Sequence, residues 1–116
     1  MKQPILPTTM ADWDAAAQQI PPQGLLLLKF SPRCPISRGV ERDVDEWFGS
    51  LSDERAPRYV KVDVVNAREV SQQLAQALGV AHQSPQAIWL NTERAIVWNA
   101  SHHSITTAAL NKLLSA

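Results

Sequence analysis

The chain has 116 residues, 45% of them hydrophobic and 19% charged, and its eleven basic and eleven acidic side chains cancel. This length and composition predict one globular domain over residues 1–116 and exclude a disordered chain. Without a basic excess we expect neither nucleic acid nor a membrane surface as a partner. The longest apolar run, residues 25–28, is far shorter than the roughly 20 residues of a membrane span, so we expect a cytoplasmic protein.

The first half of the chain predicts a helix, a buried strand and a second helix. Thr9 is placed to cap a helix over about residues 9–20. Residues 25–30 lack polar alternation, which is typical of a strand covered on both faces. Pro35 suits the first position of a second helix that runs to near Leu51. The predicted inner face of this helix carries Ile36, Val40, Val44, Trp47, Phe48 and Leu51.

The second half predicts a strand, a helix, two strands joined as a hairpin, and a last helix. The strand lies at about residues 59–64, the helix at about 67–78, and the two hairpin strands at about 86–90 and 95–98. The last helix follows Thr106, which is placed to cap it. The complete order predicts an α/β fold with a central four-stranded mixed sheet flanked by helices, including an N-terminal helix. This order resembles that of thioredoxin-like folds, although order alone leaves other small α/β sandwiches open.

The only cysteine, Cys34, lies between the first predicted strand and the second predicted helix. With Pro35 at the first helical position, Cys34 occupies the N-cap, where unpaired backbone N–H groups and the helix dipole favour a thiolate. Arg33 and Arg38 add two nearby cations. A lone cysteine is more often a small buried packing residue. Cys34 does not fall on an apolar face, however, so its position favours a reactive nucleophile.

Ser37 stands three residues after Cys34, where a dithiol redox protein has its resolving cysteine. Its hydroxyl could hydrogen-bond the thiolate, or it could be an ordinary polar residue of the first helical turn. A serine cannot release a mixed disulfide by attack. If Cys34 is functional, the predicted chemistry is therefore monothiol, with an external thiol needed to remove the adduct.

Ser84 and Pro85 directly precede the third predicted strand, about fifty residues after the cysteine. This placement resembles the cis-proline loop of thioredoxin-like proteins, which lies beside the nucleophile and pairs with the substrate chain. The alternative is an ordinary trans proline at the start of a strand. The combination with Cys34 favours the cis form.

The three histidines give a weaker signal. His82, His102 and His103 lack the ligand spacing of a zinc site, and adjacent histidines on a strand point to opposite faces, so we expect no metal. His102 or His103 could assist proton transfer near the reactive end of the fold, or could be an exposed loop residue.

Residues 30–37, FSPRCPIS, resemble the monothiol bacilliredoxins, the YtxJ-like proteins of the bacillithiol system. The likeness continues at residues 62–64, at 79–86 with its SPQ element, and at 97–106 with its WNASH element. It covers most of the chain from about residue 25 onward. The combination of CPIS with the later SPQ and WNxSH elements is specific, whereas a bare CxxS would be weak.

The resemblance implies a thioredoxin fold that removes bacillithiol, or a similar low-molecular-weight thiol, from S-thiolated client proteins. It carries over Cys34 as the nucleophile, Ser37 at the missing resolving position and Pro85 as the cis-proline. His102 matches a family position without a known role, and Arg33 stands where the family often has threonine. The implied co-substrate is the small thiol, with no bound cofactor and with a disulfide reductase as a candidate recycling partner.

Two other functions fit the same residues. A monothiol glutaredoxin-like protein would use Cys34 to hold a bridged iron–sulfur cluster in a dimer. A thioredoxin-like redox sensor or interaction module would use the fold without catalysis. We expect removal of a small thiol ahead of both. The non-catalytic function is the stronger alternative, because one thiol without a second catalytic group is little for an enzyme.

Overall fold

Four strands form one mixed sheet in the computed structural model, which describes residues 2–115. Strand β1 (Leu25–Phe30) pairs in parallel with β2 (Arg58–Asp63) and antiparallel with β3 (Gln86–Leu90). Strand β4 (Ile96–Ser101) pairs antiparallel with β3, which gives the order β2-β1-β3-β4. The predicted α/β class and the four-stranded mixed sheet are confirmed.

Four helices cover the two faces of the sheet: α1 (Met10–Ala16), α2 (Pro35–Ser50), α3 (Arg68–Leu78) and α4 (Thr107–Ser115). A short 3-10 turn, His102–Ser104, connects β4 to α4. One hydrophobic core joins the sheet to α1 and α3, and the other joins it to α2 and α4. Within residues 2–115, no helix is both long enough and apolar enough to cross a membrane.

Helix α1 is shorter than the predicted span of residues 9–20, because it ends at Ala16. Thr9 caps it as predicted, and its Oγ1 accepts a hydrogen bond from the backbone N–H of Asp12 at 3.1 Å. The chain then turns through Gln19, whose φ is +49°. Ile20 is still buried in the core, so its apolar spacing indicated burial rather than helix.

The prediction that Ile36 belongs to the buried face of α2 is wrong, because this residue of the first turn is 47% exposed. This turn follows the end of β1 and therefore lies beyond the sheet that buries Trp47 and Phe48. Strand β4 is also longer than the predicted residues 95–98, because its far end, Ser101, pairs with Gln86 at the start of β3.

A polar network holds α2 against β2. Lys61 of β2 is buried and pairs with Glu41 at 2.6 Å and with Asp45 at 3.0 Å, both of α2. The hydroxyl of Tyr59 donates a hydrogen bond to Asp45 at 2.8 Å. Burial and the nearby Asp45 carboxylate raise the pKa of Tyr59, so its hydroxyl remains a donor. The network fixes the helix whose N-terminus carries Cys34.

Several chain segments meet at one edge of the sheet. Because β1 and β2 are parallel, Phe30 and Asp63 end at the same edge, and they are register partners. Gln86, the first residue of β3, pairs with both Lys29 and Ser101 at that edge. The turn containing Cys34, the loop before β3 and the turn after β4 therefore lie at the same end of the sheet.

Gly24 provides a test of the packing before β1. Its φ is +99°, and an added Cβ would collide with the Trp89 indole and lie 3.0 Å from the carbonyl oxygen of Leu90. We expect Gly24→Ala to lower the free energy of unfolding by about 2–4 kcal/mol, measured by urea denaturation.

The matched control is Gly49→Ala on α2, where an added Cβ meets nothing within 4 Å. Alanine is the better helix former, so this variant should gain up to about 1 kcal/mol. Similar effects of the two substitutions would contradict the packing described for Gly24.

Candidate active site

Cys34 is the N-cap residue of α2, with Pro35 in the first turn. Its backbone is extended, with φ −101° and ψ 122°, and its carbonyl accepts a hydrogen bond from the N–H of Arg38 at 2.9 Å. The side chain makes no capping hydrogen bond, and the residue is only partly buried. The backbone is thus anchored at the positive end of the helix while the sulfur is not held by the first turn.

Ser37 is fully buried beneath this turn and holds it in place. Its Oγ accepts a hydrogen bond from the backbone N–H of Ser31 at 2.7 Å. In the part of the chain that the structure describes, the hydroxyl makes no hydrogen bond to Cys34. Ser37 therefore joins the start of α2 to the chain that leaves β1, and no second thiol stands at this position.

Arg33 and Arg38 flank Cys34, and both side chains are exposed. Across residues 2–115 neither forms an ion pair within 4.0 Å. Burial acts to raise the pKa of Asp63, but hydrogen bonds from Asn66 and Val65, with a smaller contribution from Arg33, hold it below its ordinary value. The cations beside Cys34 are therefore solvated guanidinium groups, and Arg33 also faces the end of β2.

The Ser84–Pro85 peptide bond is cis, and Pro85 is buried directly before β3. The carbonyl of Pro85 accepts a hydrogen bond from the N–H of His102 at 3.1 Å, which ties the loop to the turn after β4. The Oγ of Ser84 is buried without a hydrogen-bond partner among the described residues. The structure therefore brings Ser84, Pro85 and His102 together at the sheet edge where β1 leads to Cys34.

His102 and His103 lie on the 3-10 turn after β4, near the end of the sheet where β1 leads to Cys34. Both line a groove of about 760 Å³ between this turn and α2, which also includes Trp47. The backbone of His102 is left-handed, with φ +50°. Across residues 2–115, no three histidine, cysteine or acidic side chains form a cluster that could hold a metal ion.

A polar cluster that the sequence patterns did not predict lies on the α3 side of the same edge. Lys29 is 1% exposed, and its Nζ donates a hydrogen bond to the carbonyl of Ser71 at 3.1 Å. Its strand partner Gln86 is also buried, and the Oε1 of Gln86 has no partner among the described residues. His82 Nδ1 lies 3.5 Å from the Oγ of Ser71. A lysine inside an otherwise apolar strand was the signal that could have revealed this cluster.

The electrostatics of this cluster follow from its burial. Burial lowers the pKa of Lys29 to about 8, because one hydrogen bond does not replace the hydration of an ammonium group. His82 is exposed, but the partial burial of its ring, together with the positive charge of Lys29, lowers its pKa. A neutral imidazole is thus favoured beside a buried cation.

Replacing Ser37 tests its structural role. We expect Ser37→Ala to lower the free energy of unfolding by about 1–3 kcal/mol, because the Ser31 N–H would lose its buried acceptor. Ser52→Ala is the control, since this serine is exposed just after the same helix, and its effect should stay within about 0.5 kcal/mol. Urea denaturation of both variants gives the comparison, and equal losses would contradict the role of Ser37.

Lys29 should make stability depend on pH. Between its folded pKa of about 8 and the ordinary 10.5, the unfolded chain binds more protons, so the free energy of unfolding should rise with pH across that window. Lys29→Met should lack this contribution and be more stable near pH 7 by about 1–3 kcal/mol.

The measurement is urea denaturation at several pH values, with Lys112→Met as control because Lys112 is exposed. The difference between the wild type and Lys29→Met should shrink from pH 8 to pH 10. A difference that is constant with pH would show that the buried lysine does not titrate as described.

Comparison with known proteins identifies the family of this chain. The family model described as monothiol bacilliredoxin BrxC matches residues 6–110. A solved structure described as having a thioredoxin fold is 24% identical, with a TM-score of 0.79 over 94% of this chain and 91% of that chain. Thioredoxin from Malassezia sympodialis is 10% identical, with a TM-score of 0.72 over 99% of this chain and 90% of its own.

Trxlp from Edwardsiella tarda is also similar, at 19% identity and a TM-score of 0.70 over 95% of this chain and 97% of its own. At these identities the solved structures show the fold alone, whereas the family model covers nearly the whole chain. Together with the single cysteine, the family match supports a thiol redox role. The chain therefore belongs to the monothiol bacilliredoxin family and has a thioredoxin fold.

Proposed function

We propose that this protein is a thiol–disulfide oxidoreductase that uses Cys34 to remove bacillithiol, or a similar low-molecular-weight thiol, from protein mixed disulfides. One observation carries the proposal: the only cysteine is a partly buried N-cap residue of α2, and the buried Ser37 replaces a thiol in the same turn. Family membership supports bacillithiol as the small thiol.

The proposed reaction is an exchange of disulfide partners. The Cys34 thiolate attacks the small-thiol sulfur of the mixed disulfide, and the bond to the client sulfur breaks. The client leaves as a thiolate that takes up a proton, and a disulfide between Cys34 and the small thiol forms. A second small-thiol molecule then attacks this adduct, restores the Cys34 thiolate and leaves as the symmetric disulfide. A disulfide reductase is the proposed alternative for this second step.

Three features of the geometry support this role. Cys34 lies at the positive end of the α2 dipole, and its side chain makes no capping hydrogen bond, so the sulfur is available to a mixed disulfide. Ser37 cannot attack the adduct, so the adduct persists until an external thiol arrives. Ile36 is 47% exposed beside Cys34 and offers an apolar contact to a client chain. We place the protein in the cytoplasm, where small thiols are kept reduced.

The proposal is tested with one client protein carrying either bacillithiol or glutathione. Mixed with the reduced protein, the bacillithiol form should transfer its thiol to Cys34, and intact-protein mass spectrometry should show the adduct together with unmodified client. Cys34→Ser should show no mass gain, because it lacks the nucleophile. Ser50→Ala, an exposed change on the same helix, should behave as the wild type.

Other results would assign the protein differently. Faster transfer of glutathione would keep the chemistry and overturn bacillithiol as the substrate. No adduct from either client, with Cys34 still open to alkylation, would favour the sensor or interaction module. Visible absorbance after anaerobic reconstitution with iron and sulfide would favour the cluster carrier.

A further inference from the structure

A cavity of about 410 Å³ adjoins the turn that carries Cys34. We call it the arginine cavity. It is lined by Arg33, Val64, Val65, Arg68, Ser71, Gln72 and His82. Arg33 directly precedes Cys34, so their Cα atoms are only about 3.8 Å apart. The wall of the cavity therefore includes the chain neighbour of the reactive residue, and α3 contributes Arg68, Ser71 and Gln72 to it.

Positive charge dominates the arginine cavity. Arg33 and Arg68 both contribute to its wall, and in residues 2–115 neither forms an ion pair within 4.0 Å. Asp63 is an acidic group near Arg33, and its carboxylate accepts hydrogen bonds from Val65 and Asn66, but its single negative charge offsets only one of the two arginines. Glu69 accepts a hydrogen bond from Gln73 and lines a different pocket.

Polar groups stand in the wall of the cavity, and a third cation, Lys29, is buried behind it. Ser71 lines the cavity while only 1% exposed, and its Oγ lies 3.5 Å from His82 Nδ1. The ammonium group of Lys29 contacts the carbonyl of the same serine at 3.1 Å. A buried charge is screened less than a solvated one, so Lys29 strengthens the positive potential. The exposed imidazole of His82 provides a hydrogen-bonding group on the same wall.

We propose that the arginine cavity binds the carboxylate end of the low-molecular-weight thiol whose sulfur reacts with Cys34. This inference rests on the proposed function and defines its substrate class: thiols that carry carboxylates, as bacillithiol and glutathione both do. Guanidinium groups suit this partner because their planar donors match a carboxylate in a bidentate arrangement. The volume falls within the ordinary range for small-molecule sites.

Small symmetric disulfides test the inference without a client protein. The Cys34 thiolate attacks one sulfur of the disulfide, forms a mixed disulfide and releases the other half as a thiolate. Three probes differ in charge: glutathione disulfide carries carboxylates, bis(2-hydroxyethyl) disulfide is neutral and cystamine is cationic. Intact mass after acid quenching gives the rate constant of adduct formation for each probe.

Arg68 is the residue to change, because replacing Arg33 would also alter the immediate surroundings of Cys34. Arg68→Gln should lower the ratio of the glutathione disulfide rate to the neutral disulfide rate by about two- to fivefold. Arg68→Lys should retain most of that ratio because it keeps the charge. Arg42→Gln removes the same charge and serves as the control. Arg42 is an exposed α2 residue whose one ion pair among residues 2–115 is with its neighbour Asp43, so the ratio should not change.

The outcomes separate the two proposals. If the ratio is equal in the wild type and Arg68→Gln while exchange at Cys34 is still observed, only the assignment of the arginine cavity to the carboxylate is overturned. Slower transfer by Arg68→Gln only from clients with acidic flanks would assign the cavity to the client and overturn the small-thiol assignment. No adduct from any probe in the wild type would overturn the proposed function and the substrate class with it.

Discussion

Strand β1 is buried on both faces of the sheet, and the rest of the structure depends on this constraint. All six residues of Leu25–Phe30 are buried, with a paired strand on each side and helices on both faces. A shift of one residue in its register would exchange the two faces and move Lys29 into the α2 core. The end of β1 is therefore fixed, and with it the point where the chain leaves the sheet toward Cys34.

The same strand combines stability with charge at the reactive edge. Its leucines stabilise both cores, whereas Lys29 places a poorly compensated ammonium group at the end near Ser71 and His82. Burial lowers the pKa of this lysine to about 8, so the charge opposes folding near neutral pH. The positive potential next to the arginine cavity is thus obtained at the expense of stability.

A monothiol site needs two partners in succession, and the two sides of the sheet edge differ accordingly. The exposed Ile36 lies in the first turn of α2 and is apolar, which suits a client chain. The arginine cavity lies toward α3 and is cationic, which suits a carboxylate-bearing thiol. Ser37 lies in the turn between these two surfaces, and its hydroxyl accepts a hydrogen bond from the N–H of Ser31. The residue at the position of a resolving thiol therefore has a structural role.

The sequence by itself determined the order of elements, the buried strand β1 and the N-cap position of Cys34, because these depend on local apolar runs and on Pro35. It did not determine where α1 ends, how far β4 extends or that Ile36 is exposed. Those features depend on which distant segments pack against these residues or form hydrogen bonds with their backbone. Only the tertiary structure decided that Lys29 meets Ser71 of α3, 42 residues away. Hydrogen bonds and charges across such separations arise from packing, and local sequence patterns do not encode them.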